Sequence, residues 1–88
     1  MRAGQLVAWN LRRIRVQSGI PQEALAVDAG VDRTYVSRVE RGLENPSVGV
    51  VERFALALSV DITEFFRRPA EGEQQLAVLK KGRKPKER

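Results

Sequence analysis

The side chains with most to offer a partner crowd into one stretch, Gln22 to Gly42, where Arg33, Arg38 and Arg41 stand among Thr34, Tyr35 and Ser37. A guanidinium presents several N–H donors in a planar fork that fits a guanine edge or a phosphate, and a threonine can meet a thymine methyl or a phosphate. That is the chemistry of gripping a polyanion. The groups that bond-breaking usually needs are missing. The 88 residues include no histidine and no cysteine, which removes the usual zinc ligands, the nucleophile–imidazole pairs and any disulfide. Carboxylates and lysines remain, but no spacing gathers them into a site. An enzyme is not expected, nor a cofactor, a metal or a small-molecule ligand.

The elements that must position these groups can be read from periodicity and punctuation. A first helix is expected from about Gln5 to Ser18, with Val7, Leu11, Ile14 and Ser18 as its buried stripe and Gly19 as its stop. A second starts near Pro21, where a missing N–H is harmless, buries Leu25 and Ala26, and runs to Ala29 before Gly30. Only Val31 and Asp32 separate it from a third helix, for which Asp32 is a good N-cap. In that third helix Val36 and Val39 share one face, leaving Arg33, Thr34, Ser37, Arg38 and Arg41 toward solvent until Gly42 ends it. Ser47 can cap a fourth helix with an apolar stripe of Val48, Val51, Phe54, Ala55 and Leu58. Asp61 and Glu64 have the spacing of a capping box opening a fifth helix with Ile62, Phe65 and Phe66. Two short helices around a glycine-centred turn, the second apolar inside and polar outside, meet the specification of a helix-turn-helix at about residues 22–41.

The totals fit one domain of about residues 1–68 and an extension, 69–88. Apolar residues make up 42% and the formal net charge is +5, which favours a polyanionic partner. Residues 1–68 carry 10 Lys/Arg against 8 Asp/Glu, and residues 69–88 carry 6 against 3, so more of the net charge lies in the extension. Within it, Ala70 to Leu79 is expected to form one or two helical turns anchored by Leu76 and Leu79. Residues 80–88 lack apolar side chains and are expected to be disordered. No apolar run reaches the roughly 20 residues that cross a bilayer, and no signal-peptide core is present. A cytoplasmic location on the nucleoid is expected.

The residues quoted carry a resemblance. Leu11-Arg12-Arg13-Ile14-Arg15, then Gly19-Ile20-Pro21-Gln22-Glu23-Ala24-Leu25-Ala26, then Gly30-Val31-Asp32 through Glu40-Arg41-Gly42 resemble the Xre family of regulators, which includes the lambda-type repressors and Cro. The likeness continues through Asn45-Pro46-Ser47 to Phe65-Phe66, covering roughly residues 5–66. Within the family, Asp32-Arg33-Thr34-Tyr35 followed by Glu40-Arg41-Gly42 looks most like the controller proteins of restriction–modification systems. Two positions depart from the pattern. Pro21 stands where relatives often have a capping Ser or Thr, and Leu43-Glu44 stand where controller proteins often have a further basic residue after the glycine.

The resemblance implies an all-α, five-helix, lambda-repressor-like domain with a basic C-terminal tail. Its partner would be double-stranded DNA, bound as a homodimer at an inverted-repeat operator, without a membrane or a small-molecule ligand. It assigns base edges to Arg33, Thr34 and Arg38, and the phosphate backbone to Gln22, Tyr35, Ser37, Arg41 and Asn45. Arg15 and Glu40 match a pair that bridges the first and third helices. Val60, Ile62 and Phe66 fall where relatives dimerise, although Phe66 also suits an ordinary core. Trp9 lies nearly opposite the stripe of its helix, calling for either cover from Leu76 to Leu79 or a protein partner. Two other functions use the same features: an antitoxin that binds DNA only to regulate itself, and a nonspecific nucleic-acid binder working through its tail.

Overall fold

The chain closes its four helices in one way. In this computed structural model, which describes residues 2–70, α1 spans Ala3–Gln17, α2 Gln22–Ala29, α3 Arg33–Glu40 and α4 Val48–Leu58. After each, one residue takes a left-handed backbone: Gly19, Gly30 and Gly42 with φ of 71°, 72° and 76°, and Ser59 with φ of 58°. The next amide then reaches back to a carbonyl of the last turn, Ile20 to Arg15 at 3.1 Å, Val31 to Ala26 at 2.9 Å, Leu43 to Arg38 at 2.8 Å and Val60 to Ala55 at 3.0 Å. These six-to-one bonds satisfy carbonyls that the helix ends would otherwise leave open. Ser59 does the same without glycine's freedom, at about 1 kcal/mol.

The helix starts differ from the sequence reading in four places. α1 begins at Ala3 rather than Gln5, because the Gln5 side chain turns back to accept the Arg2 N–H at 3.2 Å. Pro21 is the N-cap of α2, not its first residue. Asp32 has the extended backbone of an N-cap but makes no side-chain cap bond. The Asp61 carboxylate accepts the Thr63 N–H at 3.0 Å and the Thr63 hydroxyl, which hold it below its usual pKa. Glu64 does not complete a capping box; it turns to Arg13 instead, at 3.4 Å. Ser47 does cap α4, accepting from the Val50 N–H at 3.1 Å.

The expected fifth α-helix is a five-residue 3-10 turn, Ile62–Phe66, so the described residues form four α-helices and that turn. The end of this turn is held by α1. Asn10 is completely buried, and its Nδ2 donates to the carbonyls of Leu6, Phe65 and Arg67 at 3.0, 2.9 and 2.8 Å. With the Phe65 and Arg67 carbonyls committed to a side chain, neither is free to accept from a further helical turn, and the chain leaves in an extended conformation at Arg67.

Core packing follows the apolar stripes. Leu11, Leu25, Val36, Val39, Phe54 and Phe65 are all at most 1% exposed. α2 packs on α3 and α4, while α1 packs on α3 and the 3-10 turn. Two expected core residues lie outside it. Ser18 is exposed because the chain is already turning at Gly19, and Val48 is 72% exposed because it shares the stripe's angle but sits in the first turn, beyond the core. The expectations for Leu76, Leu79 and the basic tail concern residues outside the described ones. Among the described residues no strand occurs, no cluster of side chains is suited to a metal, and no helix is long and apolar enough to cross a membrane.

Candidate nucleic-acid interface

The recognition surface is built on an eight-residue rod. α3 rests on Val36 and Val39, both fully buried, so its opposite side is held away from the core. Arg33, Thr34 and Arg41 are exposed there, with Ser37 and Arg38 half-buried between them. Arg33 and Arg38 thus remain open to a partner. Tyr35 is half-buried and packs against the core edge, while Asn45 is exposed in the loop that follows. The Asn45 side chain stands over the start of α1, where a Cβ on Gly4 would come within 2.5 Å of its Oδ1.

A buried charge cluster fixes the orientation of this rod. The Glu40 side chain, only 2% exposed, receives two bonds from Arg15, at 2.5 Å from Nε and 3.0 Å from Nη2. Arg15 also donates to the Ile20 carbonyl at 2.9 Å, and the Gln22 amide reaches Glu40 at 3.0 Å. One carboxylate therefore ties α1, α2 and α3 together. The bidentate fork makes this stronger than a simple ion pair. Gln22, expected at a phosphate, has its side-chain amide engaged inside the protein by Glu40, and the half-buried amide carries a second N–H.

Three contributors escaped the sequence reading. Glu44 accepts from Arg38 Nε at 2.9 Å, so one of the arginines on the outer side of α3 has a partner of its own. Asn10 also accepts from Arg13 Nε and Nη2, at 3.2 and 2.9 Å. Arg13 in turn lies over Trp9, its guanidinium carbon 5.4 Å from the ring centroid, which gives the half-buried indole a cation–π partner within α1. Asn10 could have been found, because it falls on the Val7–Leu11–Ile14 stripe where a polar side chain needs an explanation. Glu44 carried no such signal.

On the side formed by α4 and the 3-10 turn, Val60 and Ile62 are half-buried against the core, whereas Phe66 is 43% and Leu56 74% exposed. Phe66 is therefore not ordinary core.

Comparisons with known proteins agree with this architecture. The helix-turn-helix family model matches residues 11–65. A hypothetical transcription factor of Neisseria meningitidis serogroup B is 42% identical over 66 residues, 75% of this chain and 62% of that protein; the chain thus spans less than two thirds of this relative. The crystal structure of the restriction–modification controller protein C.AhdI from Aeromonas hydrophila superimposes with a TM-score of 0.69 at 38% identity, covering 72% of this chain and 96% of that one. The controller protein C.Esp1396I, solved as a tetramer with its natural 35-base-pair operator, gives a TM-score of 0.69 at 32% identity over 75% of this chain and 87% of its own. With its two-helix motif inside the matched span and its relatives among regulators and controller proteins, the chain belongs to the Xre-like helix-turn-helix family of transcription regulators.

Proposed function

We propose that this chain is a sequence-specific, non-enzymatic regulator that binds an inverted-repeat operator as a homodimer, with α3 in the major groove. The observation that carries the reading is the division of α3, with Val36 and Val39 sealed in the core and Arg33, Thr34 and Arg38 on the open side. A major groove admits one α-helix, and arginine pairs bidentately with the O6 and N7 of guanine. Arg33, Thr34 and Arg38 read base edges in this arrangement, while Gln22, Tyr35, Ser37, Arg41 and Asn45 hold the phosphate backbone and set the register. The operator complex of C.Esp1396I supports DNA as the partner. Leu56 on α4 and Phe66 on the 3-10 turn are exposed, and with the half-buried Val60 and Ile62 between them in the chain they are the apolar side chains this reading assigns to a two-fold contact. Two copies of α3 related by that axis meet successive grooves about 34 Å apart. DNA binding places the protein in the cytoplasm, on the nucleoid.

Selection of duplexes from a random library tests this directly. The expected product is a palindrome, bound with a two-to-one protein-to-duplex stoichiometry by sedimentation. Failure to enrich any sequence would overturn specific recognition, and an asymmetric site bound by a single protomer would overturn the dimer.

A further inference from the structure

We propose that Glu44 is a positioning and specificity-determining residue of the DNA interface, acting through Arg38. This rests on α3 being the recognition helix. The contact is set by the backbone, because the left-handed Gly42 and the 2.8 Å bond from the Leu43 N–H to the Arg38 carbonyl turn the chain back along the end of α3. Glu44 Oε2 then lies 2.9 Å from Arg38 Nε, with the two side chains still 36% and 43% exposed. A guanidinium has a lateral edge that includes Nε and an end-on edge formed by its two terminal nitrogens. By occupying Nε, Glu44 holds the side chain in one orientation and keeps the end-on edge for guanine O6 and N7. An arginine restrained before docking loses less rotamer freedom when it docks.

The same carboxylate acts against wrong sequences. It stands at the rim of a surface that must approach phosphates, and Arg38 is its partner there. A duplex that offers Arg38 a guanine leaves the pair intact, because the end-on edge makes the new bonds. A duplex that draws Arg38 toward a phosphate strips Glu44 of its partner and exposes a negative charge to the DNA. Penalising the competitor in this way sharpens discrimination without any contact between Glu44 and a base.

The test uses the duplex selected by the wild-type protein, each of its single-base-pair variants, and a random-sequence duplex of the same length, with binding read by fluorescence anisotropy. Arg38→Ala is expected to reduce the preference at one guanine position by about tenfold to a hundredfold. Glu44→Ala should reduce preference at that same position by about threefold to tenfold. Glu44→Gln retains an oxygen that can accept from Nε and should keep most of it, and both Glu44 variants should bind the random duplex more tightly. In an Arg38→Ala background, Glu44→Ala should alter no base preference. If Arg38→Ala relaxes one position and Glu44→Ala leaves it intact, the role of Glu44 is refuted while the reading of α3 stands. If Arg38→Ala relaxes no position, base reading by Arg38 fails and the role of Glu44 fails with it.

Discussion

Two residues of α3 separated only by Val39, Arg38 and Glu40, each hold a partner of opposite charge, and the two pairs differ in almost everything except chemistry. The Glu40 side chain is 2% exposed and takes a bidentate fork from Arg15 and an amide N–H from Gln22. Arg38 meets Glu44 through one nitrogen, in solvent. A buried carboxylate deprived of its partners cannot recover their bonds from water, whereas an exposed one can. The inner pair is therefore a fixed joint between three helices. The outer pair restrains Arg38 yet can be broken at little cost, so it can respond to what Arg38 meets, which a joint must avoid.

Substitutions can break or sharpen this contrast. Glu40→Ala leaves the Arg15 guanidinium, 12% exposed, without its carboxylate. A loss of about 3 kcal/mol is expected, seen in thermal denaturation as a fall in Tm of roughly 12 °C or more for a domain of this size. A fall no larger than that of Glu44→Ala would erase the distinction between the two pairs. Asn10→Leu extends the test to a buried polar group without formal charge. It removes the donor to the Phe65 and Arg67 carbonyls and the acceptor for Arg13, and about 2 kcal/mol of unfolding free energy should be lost in urea titration. A neutral result would mean that water replaces the amide. Glu44→Ala should shift stability by at most about 0.5 kcal/mol in the same titration, as exposed pairs do. A loss above about 1 kcal/mol would make the outer pair structural as well.

What could be read in advance follows the range of the interactions. Gly19, Gly30 and Gly42 were legible as helix stops because their backbone favours glycine by itself, and Ser59, which performs the same turn, was not. Val36 and Val39 identified the inner side of α3 through spacing alone. The 3-10 turn was misread because Asp61 and Glu64 have the spacing of a capping box, while the partner that captures Glu64 is Arg13, 51 residues earlier. Asn10 acts over a similar span. The resemblance supplied the Arg15–Glu40 pair, whose side chains meet in a buried fork between α1 and α3. It also sent Gln22 toward a phosphate, without showing that one of its N–H groups serves Glu40.

The way α3 is held has an evolutionary consequence. Its far end is closed by backbone bonds at Gly42, its approach is turned by Gly30, and its inward side rests on two valines, so none of these supports depends on which side chains occupy positions 33, 34 and 38. The helix behaves as a replaceable cassette. If α3 reads DNA as proposed, descendants can drift toward new target sequences by rewriting those positions while inheriting the same scaffold, whereas a change at Arg15, Gln22 or Glu40 disturbs the joint that holds it.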